Sequence, residues 1–189
     1  MILVSLVGDG RAVVGDGSMA ARMRTAFAQA RDRPRLLHLL ERAALADRPP
    51  TGFRRDLIVE HDGEHRGTLD IKKGGLLPIV DLARSAALAA GAAAASTAAR
   101  LNAIEAAGTI RASDVTVLRD AFDLVSELRM QHQVQQLRGG EAPDNHIDPA
   151  TLTPLVRTYL RDAFRAVARV QKGINTSLQY GTRAPAAMG

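Results

Sequence analysis

Val156, Leu160, Ala163, Val167, Val170, Ile174 and Leu178 recur in steps of four and three along the last part of the chain. That spacing puts every one of them on one side of an α-helix. A stripe this long needs other helices to cover it. The pattern therefore predicts a helix from Thr153-Pro154 to about Tyr180, packed on helical neighbours. Val115, Leu118, Phe122 and Val125 repeat the spacing in a long helix predicted from a Ser113 cap to Gly139-Gly140. Shorter helices are predicted from Ser18 to Asp32, from Arg35 to Ala46 with Pro34 before it, from Pro78 to Gly91, and from about Thr97 to Gly108. Proline belongs in a first helical turn and glycine just past the last one, so Pro78, Gly91 and Gly108 punctuate these segments in the expected order. The expected fold is mainly α: an antiparallel helical bundle with a small N-terminal α+β portion.

That α+β portion rests on two features. Residues 2–7, ILVSLV, are short, apolar and β-rich, and end at the turn signal Gly8-Asp9-Gly10. They read as one strand, which needs a pairing partner for its backbone. Asp56 to Glu60 and Arg66 to Ile71 read as a hairpin around Asp62-Gly63. The expected organisation is an α+β junction portion over 1–75, a helical bundle over 76–180 and a mobile tail over 181–189, together one compact unit.

Composition removes several functions. The 189 residues include no Cys and no Trp, and aromatic residues are 3%. Thiolate metal sites, disulfide scaffolds and cysteine nucleophiles are excluded, and a stacking platform for single-stranded nucleic acid is not expected. The formal charge is +5, carried almost wholly by arginine, which suits phosphate and carboxylate recognition. The longest uncharged run, Ser85 to Ala99, is too short and too weakly apolar for a bilayer. The start, MILVSLVGDG, lacks a basic region and a long apolar core. A cytoplasmic protein with no membrane partner is expected.

Several motifs could carry chemistry. His61-Asp62-Gly63-Glu64-His65 has the H-x-x-E-H metalloprotease spacing. That chemistry needs a helix, and an Asp-Gly turn is expected there instead, so no metal site is assigned. Gly17-Ser18 resembles the start of a nucleotidyltransferase signature, but the paired carboxylates that would hold metal do not follow. No catalytic residue is assigned. Arg157, Arg161, Arg165 and Arg169 recur every fourth residue, as either a solvated face or a stripe for an acidic protein or nucleic acid. Asp70-Ile71-Lys72-Lys73-Gly74-Gly75 precedes a helix. It reads equally as an anion-attracting turn or as a hairpin exit. Arg84, Arg100 and Arg129, with Gln133 one turn beyond Arg129, lie in helices that also bury apolar faces. They would either converge on a cationic pocket or scatter over the surface.

Five separated stretches carry a resemblance: DGRAVVGD (Asp9 to Asp16), LDIKKGGLLPIVDLARSAAL (Leu69 to Leu88), STAARL (Ser96 to Leu101), AFDLVSELRMQHQ (Ala121 to Gln133) and APDNHIDPATLTPL (Ala142 to Leu155). In that order the chain resembles the C-terminal helical domain of bacterial nucleotidyltransferases related to the PII-protein uridylyltransferase. That domain is commonly called their substrate-binding domain and is often found with CBS and cyclic-nucleotide-binding modules. The resemblance implies a signal-transduction domain that helps hold a nucleotide or the acceptor beside a catalytic domain, in cis or in trans. It points to Asp70, Lys72, Lys73, Arg84, Arg100, Arg129, Gln133 and Asn145 as pocket or interface positions. Asp9, Arg11 and Asp16 fall at the domain junction. The catalytic Gly-Ser and paired-Asp segment is missing, so the chain is not expected to transfer nucleotides alone. No cofactor is expected in it; magnesium and a nucleoside triphosphate would enter only with a catalytic partner. A basic-helix interaction module is the alternative, and the homo-oligomeric state is left open.

Overall fold

The structure is a computed structural model of the chain. It describes residues 9–10, 13–14, 16–51 and 57–179, apart from the side chains of Arg24, Ala30 and residues 177–179. The predicted first strand, Arg11, Asp56 and the tail lie outside the described residues.

The described chain is mainly helical. It contains α1 (Ser18–Ala28), α2 (Pro34–Ala44), α3 (Leu77–Ala89), α4 (Thr97–Ala106), α5 (Ala112–Arg138) and α6 (Pro154–Gln179). A 3₁₀ turn, Gln29–Asp32, extends α1, and a π-helical turn, Lys72–Leu76, leads into α3. Strand β1 (Leu69–Asp70) pairs antiparallel with β2 (His146–Ile147), in the register Leu69 with Ile147 and Asp70 with His146.

Helix ends follow local chemistry. Ser96 accepts from the Ala99 amide at 3.2 Å to open α4, and Thr153 accepts from the Val156 amide at 3.3 Å to open α6. Pro34 and Pro154 take first-turn positions, where a missing N–H costs nothing. Two predicted caps shift. Ser18 is the first residue of α1 and Gly17 holds the cap position without a side-chain bond; just before it, the Asp16 carboxylate accepts from the Ser18 amide at 2.9 Å and from the Ser18 hydroxyl at 2.5 Å. Helix α5 begins at Ala112, so Ser113 falls inside its first turn. Gly91, Gly108 and Gly140 all have positive φ, at 75°, 61° and 77°. Each closes a helix with the paired bonds of a Schellman end, such as Ala92 N–H to Ala87 O and Gly91 N–H to Leu88 O.

The reversal at Asp62-Gly63 is present, with Glu60 N–H donating to Thr68 O and Gly67 N–H to Glu60 O, both at 2.8 Å. The described residues before it, 57–60, do not form a strand. Among the described residues there, Leu57 bridges to Thr51, and β1 takes its ladder from β2 instead.

The chain divides into two compact units. One comprises Met1–Ala46, Val80–Val115 and Asn175–Gly189; the other comprises Asp47–Ile79 and Thr116–Ile174. In the first, Phe27, Leu40 and Leu88 form a buried cluster, with Leu36 and Leu37 against it. In the second, Leu57, Leu69, Ile71, Val125, Leu128, Ile147, Leu160 and Phe164 form the core. Each such side chain contributes about 1.5–3 kcal/mol when fully buried. Leu160, Val167 and Val170 of the predicted α6 stripe are buried, and Phe164 is buried in place of the half-exposed Ala163.

Candidate functional site

Within each unit, expected site residues make contacts with one another. In the first unit, Asp9 lies between Arg84 of α3 and Arg100 of α4. One carboxylate oxygen is 2.6 Å from Arg84 Nη2, and the other is 2.6 Å from Arg100 Nη2. Arg84 Nη1 also donates to Asp81, one turn back on the same helix. Arg100 Nε donates to the Ala94 carbonyl at 2.9 Å. Both guanidinium side chains are buried, at 9% and 2% exposure, whereas Asp9 keeps 44%. Burial works to raise the Asp9 carboxyl's pKa. Hydrogen bonds from Arg84 and Arg100, and their charges, outweigh it and hold the group below its ordinary 3.8.

In the second unit, Arg129, Gln133 and Asn145 meet. Arg129 Nε donates to Asn145 Oδ1 at 2.6 Å, and Gln133 Nε2 donates to the Asp144 carbonyl at 2.9 Å and to Asn145 Oδ1 at 3.5 Å. The β ladder places this corner: Ile71 N–H donates to the Asn145 carbonyl at 2.9 Å, and Asp70 pairs with His146. Half-buried Arg129 has no carboxylate partner among the described residues, and its two Nη groups have no acceptor there. It is a cation with its inner nitrogen anchored and its outer fork open.

Sequence reasoning missed the residues that brace this corner. Asp144 Oδ1 lies 2.8 Å from His132 Nε2 and accepts from the His146 amide at 2.9 Å. The Asp144 amide donates to Gln136 Oε1 at 2.9 Å. Burial opposes ionisation of Asp144, but bonds from His132, the His146 amide and Gln136, with the His132 charge, keep its pKa below 3.8. The rings of His65 and His146 stack 3.5 Å apart and nearly parallel, at 4°. The one clue in the sequence was helical spacing, which sets Arg129, His132, Gln133 and Gln136 along adjacent turns of α5.

The Asp70-to-Gly75 segment resolves into a helix start. Asp70 Oδ1 accepts from the Lys73 amide at 2.8 Å. Lys72 and Lys73 are exposed. The glycines answer to packing. A Cβ on Gly74 would lie 2.6 Å from Pro50 Cδ, and one on Gly75 would lie 2.7 Å from Val125 Cγ1. Asp16 accepts from Ser18 at the start of α1, as above. On α6, Arg157 turns to the carbonyls of Ala150 and Leu152 at 3.4 and 3.5 Å, and Arg161 lies 3.4 Å from Asp162, so the arginine row is not one uniform free stripe. His61 is exposed in the turn after Leu57, not on a helix. No helix among the described residues is long and apolar enough to cross a membrane.

The elements and contacts above define a mainly helical protein whose arginines are held by carboxylates, amides and carbonyls. Comparison with protein families makes this specific. Residues 34–178 match the family described as "Putative nucleotidyltransferase substrate binding domain", and the chain belongs to it. No curated protein and no solved structure is significantly similar to the chain. The matched span includes Asp70, Lys72, Lys73, Arg84, Arg100, Arg129, Gln133 and Asn145, and leaves out Asp9, Arg11 and Asp16.

Proposed function

We propose that the chain holds a phosphate-bearing nucleotide for a nucleotidyltransferase catalytic domain, and so acts as the binding and regulatory part of a signalling assembly. The observation that carries this reading is Arg129. Its Nε is fixed by Asn145, Asn145 is placed by the β ladder, and its Nη fork has no acceptor among the described residues. A guanidinium fork fits the paired oxygens of a phosphate, and holding it in advance reduces the entropy lost on binding. Lys72 and Lys73, on the turn that follows Ile71, add exposed positive charge in the same unit. The side chains of this corner offer hydrogen bonds and positive charge for holding a ligand. Transfer, with magnesium, belongs to the catalytic partner.

Calorimetry with ATP, UTP and CTP, with and without magnesium, tests the reading. At least one nucleotide should bind the wild-type chain. Arg129→Ala should weaken it roughly ten- to a hundred-fold, the range of a charge-assisted hydrogen bond worth about 1.5–3 kcal/mol. Binding of none of the three, or equal affinity in Arg129→Ala, overturns it.

A further inference from the structure

The Arg84–Arg100 pair is a second anion seat, and we infer that Asp9 fills it as an internal stand-in for a ligand's phosphate or carboxylate. Each oxygen of the Asp9 carboxylate is taken by a different guanidinium, at 2.6 Å. Two arginines sharing the oxygens of one group is the way such side chains hold an oxyanion.

Three observations separate the seat from its occupant. The arginines are held without Asp9, because Arg84 also binds Asp81 and Arg100 also binds the Ala94 carbonyl. They are nine-tenths or more buried, and Arg84 Nε is buried with no hydrogen-bond acceptor among the described residues, while Asp9 stays 44% exposed. Finally, both arginines lie inside the matched family span of 34–178 and Asp9 lies outside it. The family region thus contributes both buried cations and Asp81, while Asp9 brings its carboxylate to them from outside that region. Near Asp9 in the chain, Val13 and Val14 are 84% and 93% exposed. A buried cation left without its partner is strongly unfavourable. The seat therefore stays filled, and a ligand anion enters by exchanging with Asp9.

This deepens the binding reading above and rests on it only in taking the ligand to be anionic; its residues are different. The test is calorimetry of the full chain with inorganic pyrophosphate, and in parallel with succinate, at constant ionic strength. Asp9→Asn removes the internal competitor and should bind one of the two probes at least tenfold more tightly than wild type. Pyrophosphate preference assigns a phosphoryl ligand, and succinate preference assigns a carboxylate. Adding Arg100→Gln to Asp9→Asn should abolish the gain, whereas adding Arg129→Ala should leave it intact. No gain in Asp9→Asn, or a gain that survives Arg100→Gln, overturns the inference. Should Asp9→Asn fail to fold, the ¹³C-carboxyl resonance of Asp9 in the wild-type chain decides. It should move toward that of a free carboxylate as either probe is added, and an unmoved resonance at saturation or at the solubility limit overturns the inference. Loss of nucleotide binding in Arg129→Ala without any gain in Asp9→Asn leaves the Proposed function standing and removes only this seat.

Discussion

At Gly75 one hydrogen atom separates a close-packed core from a clash. A methyl group there would approach Val125 Cγ1 to 2.7 Å and the Phe164 ring to 3.2 Å. All three residues are buried, so neither neighbour can swing into solvent. Gly75→Ala should destabilise the chain by about 1–3 kcal/mol, the usual cost of overpacking, read from urea denaturation midpoints. Gly173 is the control. It is exposed on α6, and a methyl group there would meet nothing within 4 Å. Gly173→Ala should stabilise by about 0.5–1 kcal/mol through reduced chain entropy alone. The contrast also explains why Lys72-Lys73-Gly74-Gly75 was ambiguous in sequence. Paired glycines mark either a backbone that needs unusual torsions or one that another element touches closely. Here they mark contact, with Pro50 and with Val125, and no local pattern reveals a partner so distant in the chain.

Among the elements, α4 is set by its two ends. Ser96 satisfies the Ala99 amide at the start, and Gly108, at φ 61°, lets the chain turn so that Gly108 and Thr109 bond back to Glu105 and Ile104. Ser96→Ala should cost about 1 kcal/mol. Gly108→Ala, which meets no steric obstacle but must hold a left-handed backbone, should cost roughly 1–2 kcal/mol. The caps lie at opposite ends of the helix and share no partner, so the double variant should lose close to the sum in urea denaturation. These ends were legible because capping chemistry is local: Ser, Pro and Gly act on amides and torsions within a turn. For the same reason the helices around Gly91, Gly108 and Gly140 were legible to within a few residues. The sheet was not. The residues of β1 lie in the run Arg66 to Ile71 that reads as one side of a hairpin, but their ladder partner is His146-Ile147, beyond three further helices. The site divides the same way. Residue types pointed to arginine and amide side chains, but whether Arg84 and Arg100 share an anion depends on Asp9, and the anchoring of Arg129 depends on Asn145. Periodicity along one helix contains neither fact.

For the whole molecule, the response to acid ties these contacts to stability. Asp9 and Asp144 are both held below the ordinary carboxylate value of 3.8 in the fold. When a carboxyl is more acidic folded than unfolded, the unfolded chain binds the proton first as pH falls. Its contribution to stability is therefore complete above the unfolded value and is lost as pH falls through 3.8 toward the lower folded value. Stability should thus be flat from about pH 7 to 5 as far as these groups are concerned, and should fall below that. Asp9→Asn should be less stable than wild type at neutral pH, because Arg84 and Arg100 lose a charged partner while remaining buried. The difference should narrow on acidification, because protonation takes the same charge away from the wild-type chain. Asp144→Asn should behave alike, with a smaller effect from the more exposed His132 contact. The two carboxylates share no partner, so their acid losses should add. Urea midpoints for wild type, both single variants and the double variant across the acid range measure this. A gap between wild type and Asp9→Asn that stays constant down to about pH 2.5 would mean that the carboxylate's charge is not what holds the two arginines.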